Sequence, residues 1–473
     1  MKKKLFLGAK LRRLREGKKL NQAALAALLE VSPSYLNQIE NNQRPLTVPV
    51  LLRIGAVFGV DLNSLVEDED ARIVADLREA LNDPAFGEGK VTLAELRNAT
   101  AASPDLAKRV MSLYHSYRNL RDRLQSLTET LPHQGSGGSP LPQFPYEAVR
   151  DFFYYRDNYF DELDGAADTL FAAERFSAAD LHPHLTEYLK RRHGVRIRIV
   201  QEEGNDSMRH YDAANRILSL SALLDPSTRI FQMAHQVALL GFADVIGGIV
   251  EKAGFQTEDA RALCRVGLAN YFAGALMMPY GPFLREARAV RHDVELLQSR
   301  FGASFEQVCH RLSTLQRPGD RGIPFYFVRI DMAGNITKRH SATRFHFTQF
   351  GGACPLWNVH SAFGAPGRIL VQHARMPDGI AYLCIARTVT KLGGAYSRPD
   401  RHFAVGLGCE VTHASELVYS AGIDLADDRS ATPIGVNCRV CERTDCQQRA
   451  FPPVGSHVTV EKDNRRFVPY VFE

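Results

Sequence analysis

The sequence predicts a multidomain chain with an all-α basic head, a helical connector with a coiled-coil pattern, and two α+β domains, the second with a cysteine cluster. Three observations lead to this prediction. The length of 473 residues is about three times that of an ordinary domain. The net charge of +5 is uneven, because residues 1–65 carry eleven Lys/Arg but only four Asp/Glu. Three of the eight cysteines fall within nine residues near the C-terminus.

The composition excludes several classes of protein. Hydrophobic residues make up 45% and charged residues 23%, which is ordinary for a globular protein and unlike collagen, disordered chains or disulfide scaffolds. The apolar run at 237–250 is short and contains Asp244, so we expect no membrane span. The basic N-terminus lacks the apolar stretch of a signal peptide. We therefore expect a cytoplasmic protein whose cysteines are thiols.

The basic head reads as a set of short helices around one apolar core. Asn21 is the predicted N-cap of a second helix, and Ser32 caps a third that begins at Pro33. Two helices joined by a short turn, the second with an outward polar face, are typical of a helix-turn-helix unit that binds the DNA major groove. Residues 8–65 resemble the Cro/repressor-type helix-turn-helix family. We expect the DNA-facing residues to be Gln22, Ser32, Ser34, Tyr35, Gln38, Asn41 and Arg44.

A connector, residues 67–131, follows the head at 1–66 and carries a heptad repeat. Its apolar residues recur at spacings of four and three, the period of a coiled coil. Because a helix-turn-helix head usually binds a two-fold DNA site, we predict a homodimer or higher oligomer, with half-sites about 34 Å apart or a multiple of that distance. One long helix packed on its own body is the alternative. The repeat comprises Leu106, Val110, Leu113, Tyr117, Leu120, Leu124, Leu127 and Leu131.

Residues 132–145, rich in Gly, Ser and Pro, are predicted to be a linker. Beyond it, residues 146–320 predict an α+β domain of helices with strands near 195–200 and 217–220, ahead of a helix that carries His235. Zinc peptidases have this order of elements. Their helix carries HExxH, in which two histidines bind zinc and the glutamate is the general base.

The metal donors of that motif are missing here. Gln236 stands in place of the glutamate and Leu239 in place of the second histidine. The downstream stretch 266–279, which resembles the segment of the third ligand, has no carboxylate. His235 alone cannot hold a catalytic zinc. We therefore predict a peptidase-like domain without its metal, and no enzyme. A regulatory metalloprotease with a DNA-binding head is the alternative.

The C-terminal residues 321–473 predict a sensor-like α+β domain with several short strands, one of them over 344–350. The tail brings Cys438, Cys441 and Cys446 close together, as in sites for iron–sulfur clusters or soft metals. We expect the fourth ligand to be Cys409, which ends a strand, or Cys354, which precedes a proline. A structural zinc is the alternative.

Nearly end to end, the chain resembles the short-chain fatty acyl-CoA regulator family of bacterial transcription factors. The resemblance is carried by the head, by HQVALL with LANYFAGALMMPY, by GGACPLWNVHSAF, and by GLGCEVTHASELVYSAGIDL with GVNCRVCERTDCQQRAFP. It implies a regulator of propionate, acetate or branched-chain acyl-CoA metabolism with an acyl-CoA as effector, propionyl-CoA first among them. It also implies an iron–sulfur cluster in the C-terminal domain, expected to be 4Fe–4S.

An acyl-CoA requires cationic groups for its phosphates, an aromatic face for adenine and an apolar slot for the acyl chain. The aromatic run 151–160 and the basic run 190–198 offer such groups. A packed helix face is the alternative for the first run, and a solvated surface or a second DNA contact for the second. The candidate ligand-binding residues are Phe153, Arg156, Tyr159, Arg191, Arg192, Arg196, His235 and Tyr271.

Overall fold

The structure is a computed structural model of the 473-residue chain. It forms two compact units, residues 1–141 and 142–473. The linker predicted at 132–145 lies outside the described residues up to position 144. The described residues are 8–18, 20–41, 43–44, 46–58, 70–81, 83–86, 91–130, 145–201, 207–343, 345, 354–453, 456–460, 463 and 466–472.

The described part of the first unit is entirely helical. The predicted caps are confirmed, because the Asn21 side chain accepts a hydrogen bond from the Ala24 N–H and the Ser32 hydroxyl accepts one from Tyr35 N–H. The first four helices pack around buried apolar side chains that include Leu25 and Leu36. The helices are α1 Gly8–Gly17, α2 Gln22–Leu28, α3 Pro33–Glu40, α4 Val48–Phe58, α5 Asp70–Leu81, α6 Leu93–Ala102 and α7 Pro104–Thr130.

The long helix α7 packs on α5 and α6 through one face. Ala107, Met111 and Tyr114 lie on this face at helical spacing and are buried. The Tyr114 hydroxyl and the Arg118 guanidinium donate to the Asp83 carboxylate at 3.0 and 3.1 Å. This buried carboxylate therefore holds α7 to the loop that follows α5.

The second unit begins with a helical body and a small sheet. The predicted strands near 195–200 and 217–220 pair in parallel, and a further strand, not predicted, completes the order β1-β3-β2. The elements are α8 Pro145–Tyr154, α9 Asp161–Ala173, α10 Leu181–His193, β1 Arg196–Val200, β2 Arg209–Asp212, β3 Ile217–Ser221, α11 Pro226–Gly241, α12 Ala243–Ala253, α13 Glu258–Met277, α14 Tyr280–Ala289, α15 Val294–Phe301 and α16 Phe305–Leu312.

A six-stranded sheet of order β5-β4-β8-β7-β6-β9 follows. All neighbouring strands are antiparallel except β6 and β9. The strand predicted over 344–350 lies outside the described residues, apart from position 345. The elements are β4 Tyr326–Asp331, β5 Ile336–Ser341, α17 Asn358–Ser361, β6 Leu370–Arg375, β7 Ala381–Lys391, β8 Arg401–Glu410, β9 Thr432–Pro433, β10 Val458–Thr459 and β11 Val471–Phe472.

The two faces of this sheet pack against different partners, as the two-residue period of a strand requires. Leu383 and Ile385 of β7 join the large apolar core of the helical body. Tyr382 and Cys384 point to the other face, where they pack with a second cluster that includes Trp357. The sheet thus connects the helical body to the segment that precedes α17.

No single helix of the described residues is long and apolar enough to cross a membrane. The consecutive helices α11 and α12 are long and apolar enough only when taken together, and a bend of 79° lies between them.

Candidate functional site

The third helix of the head presents a polar face. Ser34 and Asn41 are exposed, and Tyr35 and Gln38 are half-buried. The Arg44 guanidinium lies over the Tyr35 ring at 5.7 Å. Ser32 is exposed at the N-cap, and its hydroxyl accepts a hydrogen bond from the Tyr35 backbone N–H. Because these groups lie at the start and along one side of α3, the helix has the form of a major-groove reading helix.

A buried ion pair anchors this helix from behind. The Arg15 Nε donates to Glu40 Oε1 at 2.7 Å, and Arg15 Nη2 donates to Glu40 Oε2 at 3.1 Å. Gln22 Nε2 donates to the same carboxylate at 2.8 Å. Burial raises the pKa of Glu40, but the hydrogen bonds from Arg15 and Gln22 outweigh it, so the pKa is lowered. The Gln22 amide is therefore bound inside the head.

The exposed Asn37 is a polar residue of α3 that sequence reasoning missed. Its Oδ1 accepts a hydrogen bond from Asn41 Nδ2 at 3.0 Å, which fixes its amide on the polar face. The sequence offered one signal for this contact, because residues four apart, such as Asn37 and Asn41, are neighbours on a helix surface.

The helix α7 carries a second apolar face. Leu106 is 62% exposed, Leu113 is 72% exposed and Tyr117 is 40% exposed, and their spacing places them beside the face that packs on α5 and α6. These three residues belong to the predicted heptad. The side chains of Leu120, Leu124 and Leu127, and all of Leu131, lie outside the described part of the chain.

The position that corresponds to the peptidase HExxH motif, on α11 and α13, is occupied by two hydrogen-bonded polar pairs, and we call it the HExxH-like position. His235 Nδ1 and Asn270 Oδ1 are hydrogen-bonded at 2.8 Å. Gln236 Oε1 accepts a hydrogen bond from Arg209 Nη1 at 3.0 Å. Burial and the Arg209 charge lower the pKa of His235 to about 4, against the opposing effect of Asn270. Asn270 and Arg209 were not among the predicted residues, and nothing in the local sequence pattern indicated them.

Three of the predicted ligand residues contact one ring, that of Phe160, and a fourth, Tyr159, is its neighbour in the sequence. Phe153 and Tyr271 pack edge-on against it at 4.9 and 5.2 Å between ring centroids. The exposed Arg156 guanidinium lies 5.8 Å from the same ring. Tyr159 precedes Phe160 in the sequence, and its hydroxyl accepts a hydrogen bond from Arg317, which follows α16. We call this set the aromatic cluster.

A buried charge network supports the aromatic cluster. Arg311, 2% exposed, donates from Nη2 to Asp164 Oδ1 at 2.5 Å and from Nε to the Met278 carbonyl at 2.9 Å. The Tyr271 hydroxyl donates to Asp164 Oδ2 at 2.5 Å. Burial, together with the Asp164 charge, raises the pKa of the Tyr271 hydroxyl. Tyr271 is thus fully engaged by the protein.

The remaining predicted ligand residues lie apart from the aromatic cluster in the chain. Arg191 forms an ion pair with Glu174. Arg192 on α10 and Arg196 on β1 are exposed. His235 belongs to the HExxH-like position and is bound to Asn270. The structure therefore divides the eight candidates into the aromatic cluster, an exposed basic surface and one buried histidine.

Four cysteines line one pocket in the C-terminal region, which we call the cysteine pocket. Cys354 and Cys441 are buried, whereas Cys438 and Cys446 are partly exposed. Besides these cysteines, the lining residues are Pro355, Pro433, Gly435, Asn437, Arg443, Gln448 and Arg449.

Backbone pairing brings the two parts of the cysteine pocket together. β9 pairs with β6, and Cys354 N–H donates to the Val436 carbonyl at 3.2 Å. Burial raises the pKa of the Cys354 thiol, while backbone hydrogen bonds from Gly435 and Leu356 oppose that shift. The Ala450 N–H donates to Cys438 Sγ at 3.5 Å. Such N–H donors stabilise ligating thiolates.

The two candidates for a fourth thiol are in different places. Cys354 lines the cysteine pocket. Cys409 lies on β8 opposite Leu383, has no exposed surface and belongs to the large apolar core. Burial raises the pKa of the Cys409 thiol. Among the described residues, no group of three or more His, Cys, Asp or Glu side chains is close enough to hold one metal ion.

Profiles of known protein families match the chain in three consecutive parts. A helix-turn-helix family matches residues 11–65, the IrrE N-terminal-like domain of peptidases matches 190–313, and the C-terminal domain of short-chain fatty acyl coenzyme A regulators matches 314–470. These parts agree with the predicted head, the peptidase-like domain and the α+β C-terminal region.

Whole-chain relatives give the same result. A propionyl-CoA carboxylase regulator from Cereibacter sphaeroides is 48% identical over 99% of both chains. The regulator RamB from Mycobacterium tuberculosis is 47% identical over 99% of both, and PrpR from that organism is 45% identical over 98% of this chain and 95% of its own. A solved transcriptional regulator from the same species has a TM-score of 0.67 at 48% identity, over 69% of this chain and 99% of its own. All of these relatives are named as regulators, which favours a regulator over the metalloprotease alternative.

Proposed function

The chain belongs to the short-chain fatty acyl coenzyme A regulator family, and from that premise we propose that it is a cytoplasmic transcription factor of propionyl-CoA metabolism that responds to a short-chain acyl-CoA. The predicted division into head, connector, linker, peptidase-like domain and C-terminal domain is part of this proposal.

The polar face of α3 carries the DNA-binding part of the proposal. Its exposed and half-buried polar groups lie beside Arg44, and the buried pair of Arg15 and Glu40 holds the helix in place. An amide such as Gln38 reads base edges, whereas an exposed guanidinium such as Arg44 binds phosphate.

Two substitutions test this assignment on an operator selected from random DNA by the wild-type chain. Gln38→Ala weakens binding to that operator by about 1–3 kcal/mol and relaxes base preference at one position. Arg44→Ala weakens binding to every sequence and reduces the salt dependence. Equal affinities for all three proteins in a fluorescence anisotropy titration contradict the assignment.

The aromatic cluster supports the effector part of the proposal. It places the exposed Arg156 guanidinium over the rings of Phe152 and Phe160, at 4.7 and 5.8 Å, where this cation can bind a phosphate of the ligand. Since Tyr271 and Tyr159 are engaged by protein groups, Arg156 is the group of the cluster that we assign to the ligand's charge. Phe153 is 7% exposed and supplies packing.

Operator binding with acetyl-, propionyl- and butyryl-CoA tests this part, with free coenzyme A as the reference. We expect propionyl-CoA to change the affinity most. Arg156→Ala reduces the response, whereas Arg192→Ala, on the exposed basic surface, leaves it unchanged. A loss confined to Arg192→Ala places the phosphate site on the basic surface instead.

We further propose a homodimer through the exposed face of α7, which gives two heads for a two-fold operator. A helix with one apolar face packed and the other exposed at heptad spacing needs a second partner. Replacing both Leu106 and Leu113 with Lys yields monomers by sedimentation and lowers operator affinity. Ser112→Lys, an exposed position between them, leaves the dimer intact. A double variant that stays dimeric excludes this seam.

The cysteine pocket supports a third part of the proposal, a 4Fe–4S cluster ligated by Cys354, Cys438, Cys441 and Cys446. The donor set is four thiols with N–H groups directed at two of the sulfurs. Gly435 leaves room for Cys441, since a Cβ there would lie 2.9 Å from its Sγ. Such a cluster, when bound, supplies one-electron redox chemistry.

A further inference from the structure

Arg449 is a buried guanidinium in the wall of the cysteine pocket, with only 8% of its surface exposed. Its Nη1 donates to the carbonyls of Cys438 and Phe451 at 2.9 and 3.1 Å. Its Nη2 donates to the carbonyls of Cys441 and Arg443 at 2.9 and 2.5 Å. One planar group therefore holds the backbone of two proposed ligand residues in a fixed arrangement.

Two properties of Arg449 are unexplained by the protein alone. Its Nε–H is buried and donates to no atom of the described chain. Its partners in the described chain are neutral carbonyls and the Phe472 ring, 4.5 Å from the guanidinium carbon, rather than a carboxylate. A buried donor and a buried charge without a counterion are both unfavourable. They indicate that an anionic hydrogen-bond acceptor belongs in the pocket.

We propose that Arg449 is the positioning residue for the anionic group of the cysteine pocket, to which its Nε–H donates at a sulfur. The inference rests on the proposed function, in which the four cysteines ligate an iron–sulfur cluster. Thiolates and sulfides give such a cluster negative charge, and nearby cations and N–H donors raise its reduction potential. Arg449 thus raises the reduction potential of the cluster and also fixes the geometry of the loop that carries Cys438 and Cys441.

Two substitutions separate the hydrogen bonds of Arg449 from its charge. Arg449→Gln removes the charge and the set of carbonyl bonds, and Arg449→Lys keeps the charge alone. The matched control is Arg439→Gln, because Arg439 lies in the same loop but is exposed and packs over Phe451 outside the pocket. The readouts on anaerobically purified full-length protein are iron content, reduction potential and the rate of iron release to a chelator.

We expect Arg449→Gln to lower the reduction potential and to release iron at least about tenfold faster, the usual cost of removing a group that orients metal ligands. Arg449→Lys keeps the potential nearer the wild-type value but also releases iron faster. Arg439→Gln matches the wild type in both. If Arg449→Gln does not fold, as judged by Trp357 fluorescence, the rate of iron release from Arg449→Lys tests the role of Arg449.

The two proposals fail in different ways. Wild-type protein without iron contradicts the cluster itself. Wild-type protein with a full cluster, together with Arg449 variants that match Arg439→Gln in potential and in release rate, overturns the role of Arg449 while leaving the cluster in place.

Discussion

The HExxH-like position on α11 and the cysteine pocket differ in how their polar groups are satisfied. At the first, His235 is bound to Asn270 and Gln236 to Arg209. In the second, four thiols share one pocket, and a buried Arg449 N–H in its wall has no acceptor in the described chain. At the first position the polar groups are paired with each other, whereas at the second a buried donor remains for a further acceptor.

Two buried arginines show the same contrast. Arg311 in the helical body is paired with Asp164 and donates from all three of its nitrogens. Arg449 binds neutral carbonyls and keeps an unused Nε–H. The first therefore stabilises the fold, and the second has charge available for a bound anion.

The largest expected effect is on the paired arginine. Arg311→Met leaves the Asp164 carboxylate buried without its counterion and lowers the free energy of unfolding by about 3–5 kcal/mol. Arg288→Met, which breaks a half-exposed contact to Asp320 at 3.6 Å, changes it by less than about 1 kcal/mol. Urea unfolding followed by Trp357, the single tryptophan, measures both. Equal effects would show that the buried pair is not structural.

The second expected effect is a pH dependence from His235. Because its pKa falls from 6.5 to about 4 in the fold, the unfolded chain binds a proton that the native chain does not. Above pH 6.5 His235 is neutral in both states, so the free energy of unfolding does not depend on its titration. As the pH falls toward 4, only the unfolded state takes up the proton, and the free energy of unfolding falls by up to about 3 kcal/mol. His235→Gln removes this part of the pH dependence, to which other buried histidines with a lowered pKa, such as His292, also contribute, whereas His402→Gln, at an exposed strand position, keeps it. Urea unfolding between pH 4 and 7 is the measurement. An unchanged slope in His235→Gln would mean that His235 is not held neutral.

The smallest expected effect compares two glycines. In Gly435→Ala the new methyl group would meet Cys441 Sγ at 2.9 Å, so we expect a loss of about 1–2 kcal/mol and reduced iron retention. Gly241→Ala, at the end of α11, meets its nearest atoms at 3.7 Å and is tolerated. Thermal unfolding and iron analysis of the two variants provide the comparison. A tolerated Gly435→Ala would indicate a cysteine pocket with more room than the structure shows.

Local features of the head could be predicted from the sequence because they depend on neighbouring residues. Asn21 and Ser32 are N-caps whose bonds reach three residues along the chain. Pro33 occupies the first turn of α3, as its fixed φ favours. The heptad likewise predicted the long helix α7.

The missed features depend on residues distant in sequence. Asn270 bonds to His235 across 35 positions, and Arg209 to Gln236 across 27, with no periodic pattern to connect them. The position of Cys409 opposite Leu383, in the apolar core, depends on strand register, which the sequence alone did not give. Gln22 fits an outward position by spacing, yet its amide binds the buried Glu40 carboxylate, a contact that only the packed head creates.

Metal and sulfide analysis of anaerobically purified full-length protein tests most directly the proposal that metal chemistry belongs to the cysteine pocket and not to the HExxH-like position. For the wild type and for Cys409→Ser, we predict about four iron and four sulfide per chain and no stoichiometric zinc. For Cys354→Ser, we predict that both iron and sulfide are lost. One zinc per chain that depends on His235, or iron that is lost with Cys409→Ser but kept with Cys354→Ser, would contradict the account.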